Sequence, residues 1–203
     1  MDAIANDQIV TLDTRRPIWE HFFLVAPLVV VGTKEGDTYN LAPKHMAMPM
    51  SWGNYYGFVC TPRHRTYQNI KDTGHFTVSY PRPDQVTAAS LTASRRQDGP
   101  GLEKPVLDQI DTVPATKVDG VFLEDAYVFL ECAFERFIDD LDDNSLILGR
   151  IEAAHVHKDA LRASEESDQK LLHEAPLLTY LHPGRFASVR DTQTFPFPAD
   201  FNT

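Results

Sequence analysis

Apolar and polar positions alternate in short runs along most of this chain, and turn residues cut the runs apart. Residues 23–33 form an apolar run ending near Gly32. Lys34-Glu35-Gly36-Asp37 then has the composition of a hairpin turn, and residues 38–42 supply the returning strand. Residues 55–60 alternate and stop before Pro62, and residues 75–80 predict another strand, closed by Pro81 and Pro83. Between them, residues 64–72 have helical character: Tyr67 and Ile70 stand three apart, and Thr73-Gly74 supplies the stop. Further along, residues 83–94 predict an Ala- and Ser-rich helix and residues 95–104 a polar Gly/Pro loop. Residues 116–121, 127–138 and 145–157 predict strands, with an acidic turn at 139–143. Residues 159–173 predict a polar, charged helix. In the tail, 176–203, Pro183, Pro196 and Pro198 stand among Phe186, Phe195, Phe197 and Phe201. That composition predicts an arm without regular structure that packs on the body of the protein or on a partner subunit. Many short strands with few helices suggest a mainly β protein, a closed or nearly closed β-barrel rather than a βαβ sheet.

At 203 residues, 42% apolar and 24% charged, the chain can bury one good core. It divides into an N-terminal arm at 1–20, a main domain at 21–175 and the aromatic arm at 176–203. The first residues lack a basic stretch leading into an apolar one, and the longest apolar run, near 22–31, is interrupted by Pro27. A bilayer span needs about 20 apolar residues, so the chain is expected to be soluble and cytoplasmic, without membrane contact. Cys60 and Cys132 each sit in an apolar strand-like run and are expected as buried, reduced thiols. A net charge of −10 disfavours nucleic acid as a partner.

The charge is unevenly spread, and this changes the picture. Between Asp37 and Asp72 there is no Asp or Glu, while Lys44, Arg63, His64, Arg65 and Lys71 fall inside that window. In so acidic a chain an anionic ligand must be caught by a local cluster. A phosphate held by backbone N–H groups and one or two Arg is the simplest candidate. Cys60-Thr61-Pro62-Arg63 with Thr66 stands where a strand gives way to a helix N-terminus, a good anion site on physical grounds. Ser94-Arg95-Arg96 follows a predicted helix and offers a second clamp, since Arg presents a planar fork. His155-Val156-His157 places two imidazoles on one strand face, but two His without a third ligand in reach read as surface residues. Glu131-Cys132 reads as a cross-strand charge beside a core thiol. No G-x-S-x-G, H-E-x-x-H or P-loop pattern is present.

Several of these segments together resemble the flavin reductase-like, FMN-binding split-barrel family. The resemblance rests on Pro27–Gly32, on Asn40-Leu41-Ala42-Pro43, on Arg65-Thr66-Tyr67-Gln68-Asn69-Ile70 followed by Thr73-Gly74-His75-Phe76, and on Leu130-Glu131-Cys132 before Ser145-Leu146-Ile147-Leu148-Gly149-Arg150. It implies a split β-barrel homodimer with FMN in a groove between the subunits and NAD(P)H as electron donor. It further implies an NAD(P)H-dependent flavin reductase or related flavin oxidoreductase that passes hydride to the flavin N5. The alternative is a non-enzymatic FMN electron carrier or flavin-storage protein of the same fold. On this resemblance Asn40, Ala42, Lys44, His45 and Met46 stand near the flavin ring, and His45 is the nearest group for stabilising charge there. Cys60, Thr61, Arg63 and Thr66, with Ser94, Arg95 and Arg96, hold the phosphate. No side chain is required as acid or base. The chain departs from the pattern at Lys44-His45, where many members have Ser or Thr. It departs again at Asn144, where many carry a His near the nicotinamide site.

Overall fold

A computed structural model describes residues 8–96, 104–162, 168–196 and 198. Chain order runs β1 (Leu24–Pro27), β2 (Val29–Glu35), β3 (Thr38–Lys44), β4 (Ala47–Ser51), β5 (Tyr55–Cys60), α1 (Arg65–Thr73), β6 (His75–Tyr80) and α2 (Val86–Leu91). It continues through β7 (Thr112–Pro114), β8 (Val121–Leu123), β9 (Val128–Leu141), β10 (Asn144–Val156), α3 (Asp168–Glu174), β11 (Leu177–His182) and β12 (Arg185–Val189). The protein is mainly β. Its principal sheet is antiparallel with order β3-β2-β6-β9-β10-β5-β4.

The two edge strands of that sheet, β3 and β4, are joined by only His45-Met46. Laid flat, six inter-strand steps of about 4.8 Å would separate them by roughly 29 Å. Three Cα steps of about 3.8 Å from Lys44 to Ala47 reach about 11 Å. The sheet must therefore roll until its edges converge at this link, and the wide curl wraps the apolar side chains inward. Val29 and Val31 of β2 join Phe58, Phe76, Val78 and Ile147 in that interior. Val30, between them, points the other way and meets Leu41, Ala89, Val121 and Leu123 in a second cluster. The unbroken Val-Val-Val run is thus buried on both faces, which is why it does not alternate. Gly32 shares the outer face with Val30, where a Cβ would come within 2.5 Å of the Val121 carbonyl oxygen. Only glycine admits the β7–β8 layer that closely.

α1 begins after His64, which has extended backbone, and ends at Gly74, whose φ of 74° lets its N–H close on the Ile70 carbonyl at 2.9 Å. Tyr67 and Ile70 enter the main core as their spacing predicts. Cys60 and Cys132 are buried, free thiols. Among the described residues no helix is long and apolar enough to cross a membrane.

Several sequence expectations need correction. The tail is not wholly irregular: β11 and β12 form a hairpin, and β11 pairs with β1 through Leu24↔His182 to Pro27↔Thr179. Pro183 and Gly184 occupy the hairpin turn, so proline there punctuates two strands rather than excluding them. Of the strand expected at 116–121, residues 116–120 form the loop between β7 and β8, and Val121 alone is strand, opening β8. The Glu131 carboxylate takes up the N–H groups of Thr116, Lys117 and Val118, which removes them from any ladder. The run at 23–33 breaks at Leu28 into β1 and β2, which belong to different sheets. The helix at 83–94 is a 3₁₀ turn at Pro83–Gln85 followed by α2. Among the described residues of the helix expected at 159–173, regular α-helix begins at Asp168 and runs to Glu174; 163–167 lie outside the described residues, as do 97–103 of the predicted loop. The acidic turn shrinks to Asp142-Asp143, because Asp139 belongs to β9 and accepts hydrogen bonds from Ser145 at 2.6 Å and Tyr67 at 3.1 Å.

Candidate functional site

Three pieces of chain meet at the convergent edge of the main sheet: the second half of β3, the turn into α1, and the segment leaving α2. They enclose a cleft of about 410 Å³. α1 is pinned there by polar contacts the sequence spacing dictates, since Thr66 and Asn69 share one face. Asn69 Nδ2 donates to Thr33 Oγ1 at 3.0 Å, and Asn40 Nδ2 to Thr66 Oγ1 at 3.4 Å. No acidic residue stands in the first turn of α1 and no side chain caps it, so the positive end of the helix is presented toward the cleft.

Six cationic side chains line the cleft: Lys44, Arg63, Arg65, Arg95, Arg96 and Lys104. No carboxylate lines it among the described residues. One sits behind the wall. Glu35, at the end of β2, accepts from Arg65 Nε through Oε1 and from Arg96 Nη2 through Oε2, both at 2.6 Å. Arg96 Nη2 also donates to Asn40 Oδ1 at 2.9 Å. Burial alone would raise the Glu35 carboxyl, but the two guanidiniums overcome it and hold it below the usual carboxylate range. Lys104 donates from Nζ to the carbonyls of Leu41, at 3.0 Å, and of Thr92. Burial, followed by the charges of Arg96 and Lys44, lowers its ammonium to about 8. His64 is also lowered, first by burial and then by Lys44 and Arg63.

Of the twelve residues expected from the sequence, eight line this cleft: Asn40, Ala42, Lys44, Arg63, Thr66, Ser94, Arg95 and Arg96. Their convergence comes from topology, since 40–44, 63–66 and 94–96 are far apart in sequence. The other four lie outside the lining. Cys60 is buried, with its thiol donating to the Thr61 carbonyl at 3.7 Å. Thr61 donates from Oγ1 to Asn144 Oδ1 at 3.1 Å, tying the end of β5 to the start of β10. Met46 is exposed. His45 packs against the C-terminal hairpin, its ring 4.7 Å from that of Tyr180 and 5.7 Å from that of His182. Burial, then His182 and Lys44, lowers the His45 imidazole, which favours its neutral form. Among the described residues, both ring nitrogens of His182 are buried with no hydrogen-bond partner.

Glu35 and Lys104 escape sequence reading for opposite reasons. Glu35 sits in a hairpin-turn pattern that explains it completely, and Lys104 ends a polar segment with no motif of its own. The acid-free window held a signal for Arg65, which enters the cleft beside Thr66. His155 and His157 engage carboxylates, Glu131 at 3.2 Å and Asp159 at 2.7 Å. Among the described residues no group of three or more such ligands gathers. Elsewhere β1 and β4 touch, and Val25, Met48 and Met50 on them, with Phe23 and Trp52 at their ends, are exposed.

The rolled antiparallel sheet carries a basic cleft at its edge strand, and comparison with known proteins finds the same fold in the flavin reductase-like class. The family described as flavin reductase like domain matches residues 22–189, and this chain belongs to it. Among solved structures it is similar to an FMN-binding protein from Thermus thermophilus determined with bound 1-cyclohex-2-enone. The TM-score is 0.75 and the identity 16%, covering 93% of this chain and 100% of that one. It is also similar to the flavoredoxin from Methanosarcina acetivorans, with TM-score 0.73 and 15% identity over 94% of this chain and 96% of that one. A third is the NADH:FAD oxidoreductase of Streptomyces globisporus C-1027, with TM-score 0.64 and 18% identity over 81% and 86%. At these identities the structural likeness speaks for the fold.

Proposed function

We propose that this protein binds FMN with the phosphate in the basic cleft, and that it is an NAD(P)H-dependent flavin reductase or a related flavin oxidoreductase. The observation that carries this reading is the concentration of six cations around one cleft in a chain of net charge −10. A cleft of about 410 Å³ falls in the size range of cofactor sites, roughly 300–1,000 Å³. Arg96, Lys104, Thr66 and the first turn of α1 are the groups that would hold the phosphate, by charge and by directed N–H and O–H donors. Bound FMN would supply the redox chemistry, accepting hydride from a nicotinamide and passing electrons on. The chain's own work is to anchor the phosphate, leave room over Ala42 for a planar ring, and present the apolar surface of β4. The exposed β1–β4 face supports a homodimer in which a second copy covers it and helps complete the site.

Steady oxidation of NADH or NADPH by purified protein with added FMN tests this reading. Absence of turnover with FMN tightly bound would favour the carrier or storage alternative. One feature favours that alternative: Asn144 is engaged by Thr61 and offers no imidazole at that position. A dimer in sedimentation is expected, and a monomer at micromolar concentration would contradict the shared site. Lys104 gives a pH signature. Its ammonium holds charge below about pH 8 and loses it above, so FMN affinity is expected to fall as pH rises through 8. Titrations from pH 6.5 to 9.5 check this. In Lys104→Met the decline should vanish.

A further inference from the structure

Glu35 presents a feature that phosphate binding does not require. Its side chain is only 14% exposed, and each of its two oxygens is taken by a different guanidinium of the cleft, Arg65 through Nε and Arg96 through Nη2. Asn40 holds the same Arg96 nitrogen from the other side. Three separate elements, β2, α1 and the segment after α2, are thereby tied to one carboxylate. A phosphate reaching these guanidiniums must share them with an anion already bonded to both at 2.6 Å. On the reading that the cleft takes a flavin phosphate, we propose that Glu35 is an internal counter-anion that lowers the affinity for that phosphate and makes the flavin exchangeable.

Without Glu35, the Arg65 and Arg96 guanidiniums would stand beside Lys104 and Lys44 with one negative charge fewer behind the cleft wall. An incoming dianion would then relieve that crowding and gain the full attraction. With Glu35 in place, the free protein is already compensated, and the carboxylate repels the dianion it stands beside. A unit charge about 6 Å from a dianion in water-like surroundings corresponds to roughly tenfold in affinity. The same charge has no effect on a neutral ligand. Glu35 is therefore a positioning and tuning residue, acting through Arg65 and Arg96 and touching no part of a flavin ring.

Fluorescence-quenching titrations of the full chain with FMN and with riboflavin, which shares the ring and ribityl chain but lacks the phosphate, test this directly. In Glu35→Gln the FMN dissociation constant should fall about tenfold while that for riboflavin stays within about twofold. FMN affinity that is unchanged or weaker in the variant would overturn the proposal, as would an equal change for both ligands. If Glu35→Gln does not fold, Glu35→Asp keeps the charge but shortens the arm that bridges both guanidiniums. It should give a smaller tightening confined to FMN, and unchanged or weaker FMN binding would overturn the proposal there too. Failure of the flavin reading itself looks different: the unsubstituted protein would then bind neither ligand.

Discussion

Arg96→Ala is expected to weaken FMN binding about a hundredfold and to leave riboflavin binding within about twofold. Arg96 reaches the cleft from the segment after α2, with its side chain 21% exposed and its Nη2 fixed between Glu35 and Asn40. A guanidinium held this way has lost most of its conformational freedom before a ligand arrives, so little entropy is spent on the contact. A hydrogen bond to a charged group is worth about 1.5–3 kcal/mol, and about 2.7 kcal/mol corresponds to a hundredfold. Arg96→Lys should recover only part of the loss, because a single ammonium cannot keep both Glu35 and Asn40 while meeting a phosphate. The FMN-to-riboflavin ratio is the quantity to measure. Equal losses for both ligands would place Arg96 away from the phosphate.

Glu131→Gln is expected to cost about 3 kcal/mol of stability at pH 7 and to flatten the acid side of the stability profile. Glu131 is fully buried in β9. Its Oε1 accepts from the Thr116 N–H at 3.0 Å and hydroxyl at 2.7 Å, and its Oε2 from the N–H groups of Lys117 at 2.5 Å and Val118 at 2.9 Å. Burial pushes this carboxyl up, but these four donors more than offset it and hold it at about 2 against an ordinary 4.5. Such a depressed group stabilises the fold fully above pH 4.5, and that contribution disappears as pH falls toward 2. At about 1.4 kcal/mol per unit the whole contribution is roughly 3 kcal/mol. Urea unfolding at pH 7 and at pH 3 checks both halves. The gap between Glu131→Gln and the unsubstituted protein should narrow at the lower pH, and parallel profiles would contradict the assignment.

The loop that Glu131 holds also shows where sequence reading stops. Residues 116–121 carry strand-favouring positions, yet a carboxylate 13–15 residues away in the chain captures the N–H groups of Thr116, Lys117 and Val118, a long-range event no local pattern records. The tail misled differently: its Phe and Pro content hid the Leu177–His182 run, which becomes a strand because Leu24–Pro27 is there to pair with it. Local features were readable because local physics produces them, as with Gly74 ending α1 and with Tyr67 and Ile70 entering the core. The cleft was half legible. Asn40, Thr66, Arg95 and Arg96 stood out through the acid-free window and the family resemblance, and the fold then brought them together. Glu35 and Lys104 acquire their roles largely from neighbours 30 to more than 60 residues away along the chain, such as Arg65 and Arg96 for Glu35 and Leu41 for Lys104.

The central claim is that the cleft at β3 and α1 recognises the phosphate of a flavin. Its most direct test is a paired titration of the purified protein with FMN and riboflavin, followed by visible absorption and flavin fluorescence. FMN is expected to bind at least tenfold more tightly than riboflavin, with a preference that weakens as salt is added. Equal affinity for the two, or binding of neither, would contradict it.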